Sequence, residues 1–199
     1  MFDLLSPMVP QPVTLRNDFV TLEPLHARHA PDLHAAIDDG VFAYMPMRSS
    51  VKTPSEVRRY VEFQIQRPGT VTFAVIDNIS GRAIGSSSYL NIRPEHRGLE
   101  IGSTWIGASA RGTKVNPAMK HLMLSHAFET LGAVRVELRT DARNLQSRAA
   151  IEKLGAVCEG VMRAHMIMPD AVLRDTVVYA ITREDWAGVE QRLLDRLGA

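Results

Sequence analysis

The sequence predicts an α+β fold, with mixed α/β character, built on a central mixed, mostly antiparallel twisted sheet flanked by helices. Two observations lead there. Short apolar or alternating runs bounded by turn-forming residues alternate with amphipathic segments in the order β, αα, βββ, α, β, α, ββ, α. No segment repeats at a period of 20 to 50 residues, which removes solenoids and propellers.

The elements follow in order. Residues 1–12 hold three prolines and little periodicity, and are expected to form an N-terminal arm ahead of one domain over 13–199. Val13 to Leu15 and Phe19 to Glu23 read as strands around a turn at Arg16-Asn17-Asp18. Two helices follow, about Ala27 to Asp38 and Pro54 to Gln66. The second opens on Thr53-Pro54-Ser55-Glu56, a capping box with proline at the first helical position. Val71 to Asp77, Ala83 to Leu90 and Leu99 to Ile106 form a meander. Asn116 is the expected N-cap of the next helix, with Pro117 just inside and a stripe of Met119, Leu122, Met123, Ala127 and Leu131 at helical spacing. A strand at Val134 to Thr140, a short helix from Leu145 to Leu154 ending at Gly155, strands at Val157 to Met168 and Leu173 to Ile181, and an amphipathic helix after Thr182 complete the chain.

Composition bounds the function. The 199 residues are 45% apolar and 23% charged, with 23 basic and 22 acidic side chains. A net charge of +1 offers no overall field toward nucleic acid or an anionic membrane, so any anion site must be local. One cysteine, Cys158, leaves no intramolecular disulfide. The start MFDLLSPMVPQP lacks a basic n-region, and a reducing, cytoplasmic setting is expected. No run approaches the roughly 18 apolar residues of a membrane span. His26, His29 and His34 have no completing cysteine or carboxylate at ligand spacing, so no metal is expected.

The chemistry concentrates between Leu99 and Phe128. A strand runs into Gly107-Ala108-Ser109-Ala110-Arg111-Gly112-Thr113-Lys114 and then into a helix. Unpaired N–H groups of such a loop and first helical turn converge, the helix dipole favours an anion, and small residues let phosphate oxygens approach. Three readings compete. A nucleotide P-loop fails because the lysine follows Thr113 and is followed by Val115, so the hydroxyl that should bind Mg²⁺ is out of place. A plain strand-to-helix turn and a coenzyme A pyrophosphate site both remain.

The loop resembles the R-x-x-G-x-G/A acyl-CoA motif of GNAT acetyltransferases, with Ser109 at the first position, Gly112 at the central glycine and Lys114 at the second. The first and last positions depart from that pattern. Leu99-Glu100-Ile101-Gly102 with Trp105 resembles the strand before the loop. Asn144 to Ser147 resembles the N-x-x-S segment, Leu154-Gly155-Ala156 the L-G-F turn, and Arg174-Asp175-Thr176 agrees as well. The resemblance spans roughly Val13 to Trp186 and is nearest the RimJ/RimL-type branch.

The resemblance implies acetyl-CoA as cosubstrate, held by Ile106, Gly107, Arg111, Gly112, Thr113, Lys114, Val115, Asn116, Asn144 and Ser147. It implies an amine acceptor, either a protein N-terminus or a small molecule, attacking directly in a ternary complex. Asn144 would position coenzyme or thioester, and Ser147 would give a hydrogen bond or proton to the leaving thiolate, a weak base of pKa about 8.5. Helix capping and local backbone satisfaction are the alternatives for these two. Glu100 is the candidate base, or else a charge on a strand face. An oxyanion would be held by backbone N–H near Ile106 or Gly107. Deprotonating the acceptor at pH 7 costs about 1 kcal/mol for an α-amine but about 4.6 kcal/mol for a lysine. Tyr44, Met45 and Trp105 would line the acceptor pocket, unless the run Phe42 to Met47 merely packs between helices. A non-catalytic acyl-CoA sensor is the contrasting reading. A sheet edge or the last helix could carry a homodimer.

Overall fold

The computed structural model describes residues 6–46 and 51–198. Its sheet has eight strands: β1 (Leu15–Arg16), β2 (Val20–Pro24), β3 (Val71–Asp77), β4 (Ala83–Arg93), β5 (Gly98–Ile106), β6 (Arg135–Asp141), β7 (Val157–Ile167) and β8 (Leu173–Thr182). Their spatial order is β1-β2-β3-β4-β5-β6-β8-β7. Every neighbouring pair is antiparallel except β5 with β6. That parallel pair is possible because a helical crossover separates the two strands.

Two apolar clusters lie on opposite faces of this sheet. One gathers Leu22, Phe73, Tyr89, Leu99, Ile101, Val136 and Leu138 beneath α3 (Val115–Ser125) and α5 (Trp186–Leu197). The other packs Ala74, Ala83 and Trp105 against α1 (Ala30–Ala36) and α2 (Pro54–Gln66). Alternation alone would keep Leu99, Ile101 and Trp105 on one face, but a bulge at Ser103 shifts the phase, so β5 sends Leu99 and Ile101 into the first cluster and Trp105 into the second. Helix α4 (Leu145–Glu152) adds Ile151 to the first cluster.

Local chemistry sets the boundaries. Thr53 and Glu56 form the expected capping box on α2. Asn17 Oδ1 accepts the N–H groups of Phe19 and Val20, at 3.1 and 3.0 Å, and this turn trims the first strand to two residues. The first helix is shorter than expected. A 3₁₀ turn at Ala27–His29, capped reciprocally by His26 and His29, precedes α1, and the chain is extended again at Ile37.

The start of α3 also differs from expectation. Its N-cap is Lys114 and its first residue is Val115, so Asn116 lies inside the helix. Thr113 supplies the local hydroxyl instead, accepting from Val115 N–H at 3.2 Å. Pro117 fits the third helical position because the N–H it lacks would have had no intrahelical partner there. A π-helical turn at His126–Thr130 follows, closed by Leu131 N–H to His126 O at 2.9 Å. It carries Ala127 and Phe128 into the core, while Leu122 and Leu131 stay partly buried.

The expected arm is partly held down. Met1 to Leu5 lie outside the described residues, but Met8 is 2% exposed and its N–H donates to Pro94 O. Arg97, buried and left-handed at φ 46°, donates to the carbonyls of Ser6, Leu131 and Gly132. It ties the arm and the α3–β6 connection to the start of β5. No helix among the described residues is long and apolar enough to cross a membrane.

Candidate active site

The parallel pairing of β5 and β6 covers only Gly98, Leu99 and Glu100 against Arg135, Val136 and Glu137. Beyond that rung β5 runs on to Ile106 and β6 to Asp141 with no pairing between them, so the two strands open into a wedge. Ser103, at φ 49°, makes a bulge, and Ser103 and Thr104 together oppose Ser87 of β4. A bulge bends its strand and re-aims backbone groups, and this one lies on the open side of the wedge. Gly107 N–H donates to Ile84 O at 2.8 Å and is therefore held by the sheet. By strand alternation the N–H of Ile106 faces the other way, toward the wedge. Of the two donors expected for an oxyanion, Ile106 is the one the geometry leaves available.

Glu100 forms the floor. It is 7% exposed, accepts from Asn91 Nδ2 at 2.7 Å and lies 3.4 Å from Arg139 Nε. Gly102 makes room for it, since a Cβ there would stand 2.7 Å from Glu100 Oε1. Burial pushes this carboxyl above its ordinary pKa, against the opposing pull of Arg139 and Asn91. Neighbouring Glu137 takes hydrogen bonds from Arg93, Arg135 and Arg139, which hold it down at about 2 despite burial. Two carboxylates on adjacent strands thus have opposite character, one fixed as an anion and one poised to take a proton.

The cradle closes the far end of the wedge. Gly112 adopts φ 75° and a Cβ on it would meet nothing within 4 Å, so glycine serves backbone conformation there and leaves the space above open. Gly107 serves a different need, because a Cβ would stand 2.8 Å from Ala36 O of α1. The N–H groups of Gly112, Lys114 and Asn116 have no acceptor among the described residues. These donors, an open glycine and the N-terminus of an eleven-residue helix fit a phosphate group. The two cations among the residues expected to hold acetyl-CoA are already engaged. Arg111 pairs with Asp38 at 2.6 Å and donates to Ile106 O, and Lys114 donates to Leu197 O at 2.7 Å while lying over the Phe19 ring. Thr113 is turned to Ala110 O. On its outer side the loop borders a groove of about 500 Å³ with Phe19, Asp77 and Ile84.

Asn144 and Ser147 stand at the start of α4, directly after β6. Asn144 caps the helix by accepting Ser147 N–H at 3.0 Å. Its amide NH₂ and the half-buried Ser147 hydroxyl have no partner among the described residues. Of the proposed acceptor-pocket residues, Trp105 and Met45 belong to the second core and Tyr44 is exposed. Trp105 is 4% exposed, donates to Tyr60 OH at 3.1 Å and packs edge-on against Phe42, which makes it part of the second core. Tyr44 is exposed and its carbonyl receives Arg174 Nη1 at 3.3 Å, whereas Met45 packs on the second core. Met47 lies outside the described residues.

Lys120 was not foreseen, and Arg174 was read only as part of the Arg174-Asp175-Thr176 motif. Lys120, on α3, is 6% exposed and donates to Thr104 Oγ1 at 3.1 Å. Burial brings its pKa down to about 7. A lysine on an amphipathic helix ordinarily reads as solvent-facing. The available clue was its spacing of three residues from Met123, inside the buried stripe. Arg174 is buried on β8 against Thr176 and Tyr44, with Asp141 and Glu100 as the nearby negative charges.

Residues 20–157 match the acetyltransferase (GNAT) domain. The fold superposes on a chain from T. thermophilus, provisionally described as an acetyltransferase, with a TM-score of 0.88 and 37% identity, covering 96% of this chain and 100% of that one. A GCN5-related N-acetyltransferase from Brucella melitensis gives 0.89 at 27% identity, covering 96% and 88%. YdaF of Bacillus subtilis (strain 168), provisionally named a ribosomal N-acetyltransferase, is 30% identical over 108 residues. That similarity spans 54% of this chain and 58% of the relative.

Proposed function

Because the chain belongs to the GNAT acetyltransferase family, we propose that it transfers an acetyl group from acetyl-CoA to a primary amine by direct attack in a ternary complex. One observation carries this reading: the β5–β6 pairing ends at Glu100 and Glu137, while β5 leads straight into the cradle at Gly107 to Asn116. A thioester entering that wedge has phosphate donors at one end and a buried carboxylate at the other.

Glu100 takes the proton from the attacking amine, directly or through water. Its raised pKa suits the task, since a base works best when its pKa lies nearer the operating pH. The N–H of Ile106, on the wedge side of β5, binds the arm of the thioester as it runs from the cradle toward Thr104 and Glu100. Asn144 orients the thioester through its free amide, and Ser147 offers its hydroxyl to the departing sulfur. The preferred acceptor is an α-amine, in the manner of the RimJ/RimL-like branch, because its deprotonation costs about 1 kcal/mol at pH 7. The name of the Bacillus relative, provisionally a ribosomal N-acetyltransferase, supports an amine acceptor on a ribosomal component.

Calorimetric titration with acetyl-CoA tests the site, followed by thiol release against N-terminal peptides, polyamines and aminoglycosides. Binding with turnover on peptides is expected. Turnover on polyamines or aminoglycosides alone would replace the acceptor, binding without turnover would make the protein a sensor, and absence of binding would remove the reading.

A further inference from the structure

We propose that Lys120 is a further catalytic residue of this site, its ammonium placed on the α3 side of the β5 edge to receive the thiolate that leaves acetyl-CoA. The inference rests on the acetyl-CoA reading above.

The geometry begins with Thr104. It lies on the unpaired stretch of β5, beside the Ser103 bulge, and is half-exposed. Its hydroxyl lies 2.7 Å from Ser87 Oγ and accepts from Lys120 Nζ at 3.1 Å. The buried amine of Lys120 is therefore one hydroxyl away from the wedge. A substrate chain anchored at Gly107 to Asn116 and reaching toward Glu100 must pass Thr104, three residues before the cradle, or roughly 10 Å along the strand.

The surroundings of Lys120 are those of a cation waiting for an anion. A protonated lysine has three donors, and the hydrogen bond to Thr104 uses one. Among the described residues no carboxylate lies within 4 Å of Nζ. Glu100, on the same strand as Thr104, is the nearby negative charge. Glu100 alternates with Leu99 and Ile101, whose side chains point into the core beneath α3, so its carboxylate leaves β5 on the opposite face. Burying an ammonium with only a neutral acceptor is costly, and the site tolerates it by letting the amine titrate near neutrality.

This places the proton acceptor and the leaving-group partner on opposite faces of one strand edge. The amine nitrogen forms its bond to the acyl carbon and loses a proton to Glu100. The carbon–sulfur bond breaks with its electron pair on sulfur, and Lys120 gives a proton to that thiolate. Glu100 then releases its proton to solvent and Lys120 takes one up, so the net change is amine plus thioester to amide plus thiol. Ser147 approaches from α4 as a neutral donor, and Lys120 supplies charge.

The test is the ionisation of bound CoA, read from thiolate absorbance in the ultraviolet across pH. Wild type, Lys120→Met and Lys120→Gln are compared, with CoA affinity measured by calorimetry on the same samples. In the wild type the bound thiol should titrate about 1 to 3 units below the ordinary value near 8.5. In both variants it should return to that value, with CoA affinity kept within roughly threefold and kcat lowered on the order of 100-fold. Equal thiol pKa values in wild type and Lys120→Met, with CoA bound, would overturn the inference. So would a Gln variant that keeps the depressed value, because hydrogen bonding and not charge would then be responsible. Failure of wild type to bind CoA would instead overturn the acetyl-CoA reading itself.

Discussion

Glu100 Oε2 lies 3.4 Å from Arg139 Nε at the last paired rung of β5 and β6. Arg139 gives its nearer hydrogen bond, 2.7 Å, to Glu137. This unequal sharing leaves Glu100 buried with only partial compensation, which explains why it titrates high while Glu137 stays ionised. A carboxyl whose folded pKa is raised contributes stability that is fully present below the unfolded pKa and is lost as pH rises through the folded value.

Glu100→Gln should therefore lower activity without lowering stability at pH 7.5. A loss of about 10²- to 10⁴-fold in kcat is expected for removal of a general base. In the wild type kcat/KM should rise with pH through a value above the ordinary glutamate range, and the variant should lose that limb. Thermal melts and a pH–rate profile check both. A large drop in Tm would mark Glu100 as structural instead.

Asn144 combines a cap with a proposed contact, and two substitutions separate them. Asn144→Ala should cost about 1 kcal/mol in stability, the ordinary value of a lost N-cap. Asn144→Asp keeps the cap and removes the amide donor, so Tm should hold while kcat falls. Ser147→Ala should lower kcat with little change in acetyl-CoA affinity, measured by calorimetry beside turnover.

The two glycines of the cradle should fail differently. Gly112→Ala places a methyl over open space at φ 75°, costing roughly 1–2 kcal/mol of backbone strain and weakening CoA binding. Gly107→Ala drives a methyl to 2.8 Å from Ala36 O. It should cost about 1–3 kcal/mol by overpacking, with the larger effect on Tm and the smaller on CoA affinity.

Trp105→Phe tests the reassignment of Trp105 to the core. Removing its N–H deprives the buried Tyr60 hydroxyl of its 3.1 Å donor, at a cost of about 1–3 kcal/mol. Denaturant melts should show that loss, and KM for the acceptor should stay unchanged. A raised KM with unaltered stability would return Trp105 to the acceptor pocket.

The order of strands and helices, the Thr53–Glu56 capping box and the strand–loop–helix junction at Gly107 were legible in the chain itself. Each depends on residues within a few positions of one another, where propensity, turn chemistry and periodicity act directly. The start of α3 was misplaced by the same local logic, because Asn116 followed by Pro117 is a good cap on paper. In the structure Thr113 competes for that role and the helix begins earlier.

What tertiary structure decided was the state of the charged residues. Arg111 meets Asp38 from 73 positions away, and Lys114 reaches Leu197 O across 83, so neither is the free cation that its place in the loop implied. Glu100, read as a candidate base or a strand-face charge, and Lys120, which the pattern did not single out, are buried on opposite sides of β5. The length of the β5–β6 pairing, which makes the wedge, appears in neither strand alone. Periodicity tells which face of an element a side chain occupies. Desolvation and ion pairing depend on what that face meets, and those partners come from distant parts of the chain.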